Sequence, residues 1–202
     1  PGLLVHRDRI APGEVVRVGD VRVTHPVRTA WDLARRLDLV EAVVAVDRLA
    51  NRRRFNPDLV LNFPVRYPRA RGDNRVYEVL AHAERYSGSP MESRLRMLLV
   101  RAGLPRPVAQ CVVQDPEART AVWLDLAYPD LRIGIEYDGE EHTAPDRVLR
   151  DIGRGTRLLD RDWWIYRYTK HEIREQPELI VAEVARARER RTIALDGAPS
   201  SD

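Results

Sequence analysis

The sequence contains a single cysteine, Cys111, and a single lysine, Lys170, among its 202 residues. One cysteine excludes an internal disulfide framework and a cysteine-rich zinc module, so we expect a reducing, cytoplasmic setting. The longest apolar run, 40–46, is interrupted by Glu41 and is too short to span a bilayer, so no membrane partner is expected. The opening residues lack the features of a signal peptide, and Pro1 in place of an initiator Met predicts a chain truncated at its start.

Positive charge is carried almost entirely by arginine. The chain has 34 basic and 31 acidic residues, which gives a formal net charge of +3 and a sequence pI of about 9.3. The planar guanidinium group binds phosphate oxygens well, which favours a nucleic-acid partner. The alternative is that most surface arginines are simply solvated. A hydrophobic fraction of 44% with 32% charged residues is typical of a globular protein.

Residues 1–87 are predicted to form a smaller N-terminal segment that begins with a β-hairpin. Alternating valines at 15–18 and 21–24 flank Gly19-Asp20, a favourable two-residue turn. Thr29 is predicted to cap a helix that follows the hairpin. Further helices are predicted over 39–51 and 75–85, with a proline-broken stretch between them.

Residues 88–192 are predicted to form the larger domain, with 193–202 as a flexible tail. The element order α-β-β-β-α-β-α predicts an α/β (α+β) fold, a mixed sheet with helices on its faces. After a helix closed by Gly103, the predicted elements are strands at 108–113, 122–128 and 132–138, a helix at 144–159, a strand at 163–168 and a helix at 177–190.

Two acidic residues are predicted to face each other on neighbouring strands. A turn over 129–132 pairs Tyr128 with Ile133, and counting back along the hairpin places Asp125 opposite Glu136. The apolar faces coincide in the same register, with Leu124 predicted to share a face with Leu126 and Tyr128. Directly opposed side chains lie about 4.5–5.5 Å apart at Cβ, where like charges repel.

A divalent cation would relieve this repulsion, and Asp138 adds a third carboxylate at the end of the strand. Hard oxygen donors without cysteine or paired histidines favour Mg²⁺ or Mn²⁺ over Zn²⁺. The alternative is that these acids lie at a solvent-exposed edge of the sheet and pair with arginines. Glu92 is within reach of the cluster if its helix packs across the strands, but it also fits a capping box that begins at Ser89.

A series of arginines follows the acidic strand at helical spacing and predicts a basic ridge for phosphates. The predicted nucleic-acid-binding residues are Arg147, Arg150, Arg154, Arg157, Arg167 and Lys170. Local ion pairs with Asp151 are the alternative interpretation of the ridge. His142 is either a surface residue or a catalytic group that contacts a phosphate or relays a proton.

These residues together resemble a known family. The segments that carry the resemblance are 92–96, 102–105 with Gln110, 125–127, 135–139 with His142, Asp151 with Arg154, and Arg167. They are similar to uncharacterised endonuclease-like proteins related to very-short-patch repair nucleases, within the PD-(D/E)XK superfamily. The resemblance covers roughly residues 88–192 and implies a restriction-endonuclease-like α-β-β-β-α-β core.

The resemblance also implies roles for particular residues. Asp125 and Glu136 would be the metal-binding acids, and Glu92 would match the acidic residue of the first helix that completes the site in many members. Asp138 stands where the family usually has a lysine that positions or deprotonates the attacking water. Related proteins also carry Asp there, which implies that Asp138 is a further metal ligand or a base. The single lysine of the chain, Lys170, lies just after the last core strand.

The N-terminal segment carries a second resemblance. His6 and its neighbours, the 15–24 hairpin and residues 28–34 are similar to the middle of actinobacterial proteins related to abortive-infection (AbiEi-type) antitoxins. In those proteins a winged helix-turn-helix precedes this region.

The leading hypothesis is a Mg²⁺-dependent DNA endonuclease in which Asp125, Glu136, Glu92 and Asp138 hold the metal and His142 assists. The second is a nuclease fold that cuts nothing and serves as a DNA-binding or antitoxin-like regulator, which the missing lysine motivates. The third is an RNA or tRNA nuclease. DNA is the expected partner, and a homodimer is left open.

Overall fold

A computed structural model describes residues 5–115, 120–139, 158 and 161–196. The described elements make a mixed α/β protein, and the chain divides into two compact units, residues 1–85 and 86–202. Across the described ranges, no helix combines the length and the apolar character that a membrane crossing needs.

The first unit is a two-stranded hairpin followed by helices. Its elements are β1 (Val15–Val18), β2 (Val21–Thr24), α1 (Pro26–Arg36), α2 (Leu39–Arg53), α3 (Asn62–Arg66) and α4 (Asp73–His82). The hairpin is antiparallel, and Gly19 takes a φ of 59° in its turn, as the Gly-Asp pair predicts. The proline-broken stretch before α4 contains a 3-10 turn, Pro57–Leu61, and α3.

The first helix begins earlier than predicted, so the prediction that Thr29 caps it is wrong. Pro26 occupies the first helical position, where its fixed φ is favourable and no N–H is needed. The His25 side chain accepts a hydrogen bond from Val27 N at 3.3 Å. Thr29 lies inside the helix, and its hydroxyl is 2.7 Å from the Thr24 hydroxyl.

A buried ionic network holds the first unit together around Arg28, which is fully buried. Its guanidinium contacts Glu14, lies 3.0 Å from Asp32 Oδ2 and 3.4 Å from Asp8 Oδ2, and stacks over Trp31. Buried charges are tolerated when they are paired in this way. The network therefore connects the segment before β1 to α1.

The second unit is a mixed sheet with helices. Its described elements are α5 (Pro90–Arg101), β3 (Val108–Asp115), β4 (Thr120–Tyr128), β5 (Ile133–Asp138), β6 (Trp164–Thr169), α6 (Lys170–Glu175) and α7 (Pro177–Asp196). The strand order is β3-β4-β5-β6, antiparallel except for the parallel pair of β5 and β6. The four strands and the helices α5 and α7 lie where the sequence predicts them, within a few residues.

The remaining predicted elements differ or fall outside the described ranges. The short α6 was not predicted, and it begins with a capping box from Thr169 and Glu172. Helix α7 continues to Asp196, so it includes the first residues of the predicted tail. The predicted helix over 144–159 lies outside the described residues except for Leu158.

Two apolar clusters pack the second unit, and they correct one predicted face. Leu126 and Tyr128 pack with Ile133 and Ile135, together with buried residues of α5 and α7. Leu124 instead packs in a separate cluster with Val122, Ala127, Leu158 and Trp163. Because Leu124 shares a cluster with Ala127, the inward-outward alternation of β4 is interrupted at Asp125.

Candidate functional site

Four polar residues occupy facing positions across the sheet at the point where the alternation of β4 breaks. The predicted register is confirmed, since Tyr128 pairs with Ile133 and Leu126 with Ile135. The paired residues end there, and continuing the same register by one step sets Asp125 across from Glu136. On the other side of Asp125, the β3–β4 register places Gln110 across from it. Glu136 in turn pairs with Arg167 of β6. We call Gln110, Asp125, Glu136 and Arg167 the polar row.

At this break, the Asp125 side chain accepts a hydrogen bond from the backbone of the neighbouring strand. Its Oδ2 accepts a hydrogen bond from the backbone N–H of Tyr137 at 2.9 Å, beyond the last backbone pair of β4 and β5. Opposite it, Gln110 has a φ of 49°, a left-handed conformation that is uncommon for a residue with a side chain. Non-glycine residues in such conformations are found preferentially at functional sites.

Glu136 is buried beside a partly exposed arginine. Glu136 is 6% exposed, and Arg167 Nε donates a hydrogen bond to Glu136 Oε2 at 3.0 Å. The Arg167 side chain is 45% exposed. Regular alternation explains the pair, because Glu136 and Arg167 hold paired positions on parallel strands and project from the same face of the sheet.

Glu92 is held next to the polar row by backbone and side-chain donors. Ser89 caps α5 by accepting the N–H of Glu92, which is half of the predicted capping box. The Glu92 carboxylate, however, accepts from Gly88 N at 2.7 Å and from Gln110 Nε2 at 3.0 Å through Oε2. A Cβ at Gly88 would lie 3.1 Å from Glu92 Oε1, so glycine permits this close approach. The buried Glu92 is thereby linked to the polar row through Gln110.

The donor set fits a hard divalent cation in kind. Mg²⁺ commonly uses one or two carboxylates and completes its coordination with water and substrate phosphates, and Asp125 with Glu136 offer such a pair. Among the described residues, no three side chains of the types Asp, Glu, His and Cys gather closely enough to hold an ion. Glu92 is engaged with Gly88 and Gln110, and Asp138 is exposed at the end of β5. The four-carboxylate site therefore stays a prediction.

Several predicted residues lie outside the described ranges. These are His142 and the arginines Arg147, Arg150, Arg154 and Arg157. Of the other predicted nucleic-acid-binding residues, Arg167 belongs to the polar row and Lys170 is exposed at the start of α6. The basic ridge stays a prediction.

Gln110 is the residue that the site prediction missed, although it was part of the family resemblance. An amide between Ala109 and Cys111 in an apolar strand was the available signal, since it interrupts a run that otherwise fits a buried strand. Cys111 itself does not suit nucleophilic chemistry. Burial raises the pKa of its thiol, so the thiol is protonated near neutral pH.

Comparison with known proteins finds relatives along nearly the whole chain. Two uncharacterised proteins from two strains of Mycobacterium tuberculosis, Rv2248 and MT2308, are each 30% identical to it over 195 residues. The match covers 96% of this chain and 70% of each relative. No family model matches the chain, and no solved structure matches it. The chain belongs to the same family as these two mycobacterial proteins.

Proposed function

We propose that the second unit is a metal-dependent DNA endonuclease that hydrolyses phosphodiester bonds. The observation that carries the proposal is the position of Asp125 and Glu136 one register step beyond the last backbone pair of β4 and β5, with buried Glu92 linked to the same row. Two carboxylates on adjacent strands repel one another, and a divalent cation that binds between them relieves the repulsion.

The arrangement of the sheet supports the finer fold assignment in this proposal. The order α5, β3, β4, β5 and β6 follows the restriction-endonuclease-like core as far as the described residues extend. The parallel pairing of β5 and β6 requires a crossover connection of about a dozen residues or more, and 139–163 supply enough chain for one.

In the proposed reaction, Asp125 and Glu136 would hold Mg²⁺ or Mn²⁺, and the ion would supply Lewis-acid activation of the scissile phosphate and of water. The protein's own contribution is to fix these carboxylates. The N–H of Tyr137 orients Asp125, and Arg167 orients Glu136. Glu92 and Asp138 are proposed to complete the site, Asp138 in place of the usual lysine. Arg167 stands at the exposed end of the row, where a guanidinium can bind a flanking phosphate.

Plasmid cleavage with Mg²⁺ or Mn²⁺ tests the proposal. Asp125→Asn and Glu136→Gln keep side-chain shape and remove charge, and each is expected to lower the cleavage rate at least about 100-fold. Asp130→Asn is the matched control, because it removes the same charge from the same hairpin at a residue that is exposed in the β4–β5 turn. Equal rates for the wild type, Asp125→Asn and Asp130→Asn would refute the assignment. Duplex DNA, single strands and RNA compared as substrates identify the preferred nucleic acid.

One observation favours a second candidate, a nucleic-acid-binding protein that does not cleave. The Glu136–Arg167 ion pair balances the buried carboxylate without a metal. Calorimetric titration with Mn²⁺ separates the two candidates. Heat of binding that disappears in Asp125→Asn but not in Asp130→Asn supports the nuclease, and no binding by the wild type supports the non-cleaving protein.

A further inference from the structure

The first unit contains a cavity of about 650 Å³ with a strongly basic wall. Five arginines, one histidine and one carboxylate, Asp8, are among the residues that line it. The basic residues are His6, Arg7, Arg35, Arg36, Arg71 and Arg75. Val5 and Ala70 also line it, and among the described lining residues the imidazole of His6 is the one aromatic ring.

Two of these arginines are parts of the framework of the unit. Arg35 Nη2 lies 2.5 Å from Asp8 Oδ2 and 2.9 Å from Asp32 Oδ1, and its guanidinium stacks 3.7 Å from the Trp31 ring centre. Arg36 Nη2 lies 3.0 Å from the same Asp8 oxygen. Asp8, the carboxylate among the described lining residues, is therefore already paired with the arginines of α1.

The other three arginines carry positive charge that no carboxylate of the described chain balances. Arg7 and Arg71 are exposed and form no ion pair with a described residue, while Arg75 donates to the carbonyl of Leu37. Three unbalanced guanidinium groups around one cavity repel each other, and an anion bound among them relieves that repulsion.

The backbone that carries Arg71 is fixed against α1. Arg35 Nη1 donates to the carbonyl of Arg71 at 3.1 Å. The next residue, Gly72, has a φ of 88°, and a Cβ there would lie 2.7 Å from Arg35 O, so only glycine fits this contact. The backbone of Arg71 is therefore positioned at the cavity before any ligand binds, which lowers the part of the entropic cost of binding that comes from ordering the loop.

The composition of the wall indicates the class of ligand. Small-molecule sites are mostly apolar, whereas this cavity is lined mainly by guanidinium groups. Guanidinium forks match phosphate oxygens, and a described lining with one imidazole as its single stacking platform disfavours recognition of a free nucleotide through its base. We propose that this cavity binds consecutive backbone phosphates of a nucleic-acid strand, so that the first unit contributes a second contact to the nucleic acid. The inference takes one thing from the proposed function, namely that the ligand is a nucleic acid.

Fluorescence anisotropy of the full chain with a labelled DNA duplex of about 20 base pairs, in EDTA, tests the proposal. The variant Arg7→Gln/Arg71→Gln removes two exposed cavity arginines. The matched control is Arg52→Gln/Arg53→Gln, which removes two exposed arginines of α2 outside the cavity. We expect the cavity variant to bind about tenfold more weakly and to lower the slope of log affinity against log salt by about 2, with a change below about twofold in the control.

Equal weakening of the two double variants would overturn the proposal, because it would show that only net charge matters. Competition by a nucleoside triphosphate as strong as that by unlabelled DNA at equal phosphate concentration would also overturn it, since the ligand would then be a nucleotide. Circular dichroism confirms that both double variants fold. The binding assay contains no divalent metal and needs no cleavage. A protein that binds DNA through the cavity but does not cleave it would therefore refute the nuclease assignment and leave the cavity proposal intact.

Discussion

Glu14 in the first unit and Glu136 in the second are both buried, but the surroundings of these two glutamates differ. Glu14 in the first unit is 3% exposed and accepts hydrogen bonds from fully buried Arg28, from Arg66 and from Tyr67. Glu136 in the second unit is 6% exposed, and its partner Arg167 has a side chain that is 45% exposed. Glu14 is paired with a fully buried cation, Arg28, besides Arg66, whose side chain is 60% exposed, whereas the cation beside Glu136 is itself partly exposed. A carboxylate paired with a buried cation serves the fold, and one paired with a partly exposed cation can exchange that partner for a ligand.

The pKa of Glu14 reflects this pairing. Burial alone would raise it, but the hydrogen bonds from Tyr67 and Arg28 outweigh burial and hold the pKa below its usual value of 4.5. The same contact raises the pKa of the Tyr67 hydroxyl, because that group donates to the carboxylate. Glu14 is therefore charged at neutral pH and stabilises the fold in that form.

Removal of Arg28 is the strongest way to test the structural role of the Glu14 network. Arg28→Met removes the buried cation that pairs with buried Glu14 and half-buried Asp32, and breaking a buried ion pair typically costs about 3–5 kcal/mol of unfolding free energy. Urea unfolding followed by circular dichroism measures this loss. Arg22→Met is the control, since Arg22 is exposed on β2. Similar stabilities of the two variants would show that the network does not stabilise the first unit.

Neutralising Glu14 tests the same network through pH. Glu14→Gln is expected to lower the unfolding free energy by about 2 kcal/mol at neutral pH, because hydrogen bonds to a charged group are lost. Since the folded pKa lies below the unfolded value near 4.5, the stabilisation is complete above that pH and is lost as the pH falls through the folded pKa. Urea unfolding at a series of pH values should show the two proteins converging in acid. A difference that grows in acid would contradict this assignment.

The packing beside the polar row is tested at Gly134. A Cβ there would lie 2.7 Å from Ile165 Cδ1 and 2.9 Å from Leu124 Cδ1, so Gly134→Ala overpacks the second unit. We expect a loss of about 1–2 kcal/mol, measured by thermal and urea unfolding. Gly13→Ala serves as the control, because a Cβ at Gly13 has no neighbour within 4 Å. An unchanged stability of Gly134→Ala would mean that Leu124 does not pack on this face.

The smallest effect on stability is expected from Arg167→Gln. Because its side chain is 45% exposed, solvent screens the ion pair with Glu136, and the loss should stay below about 1 kcal/mol. Urea unfolding of Arg167→Gln beside Arg28→Met compares the surroundings of Glu136 with those of Glu14 directly. Losses of equal size would show that Glu136, like Glu14, serves mainly the fold.

Much of the local structure was predictable because it depends on neighbouring residues. The Gly19-Asp20 turn, the Ser89 cap of α5 and the pairing of Tyr128 with Ile133 each follow from turn or cap chemistry within a few positions. The pairing across one short turn also placed Asp125 and Glu136 on facing positions. The cap at Thr29 failed because Pro26, which starts a helix well, lies three residues earlier.

The details of the site were not predictable from alternation alone. A period of two places Leu124 with Leu126, but the left-handed Gln110 and the bond from Tyr137 N to Asp125 interrupt the pleat. Neither feature has a local signature, because both arise where three strands and α5 meet. The contact between Glu92 and Gln110 joins residues 18 positions apart.

The sequence by itself determined the strands, most of the helices and the register of the central hairpin, because hydrophobic periodicity and turn residues act over short distances. Only the tertiary structure decided which charges meet. Arg28 reaches Glu14 across 14 positions, Arg167 reaches Glu136 across 31, and Arg71 lies at a cavity with Arg7. Ion pairs of this kind form between whichever side chains the packed elements bring together, and sequence spacing does not record that distance.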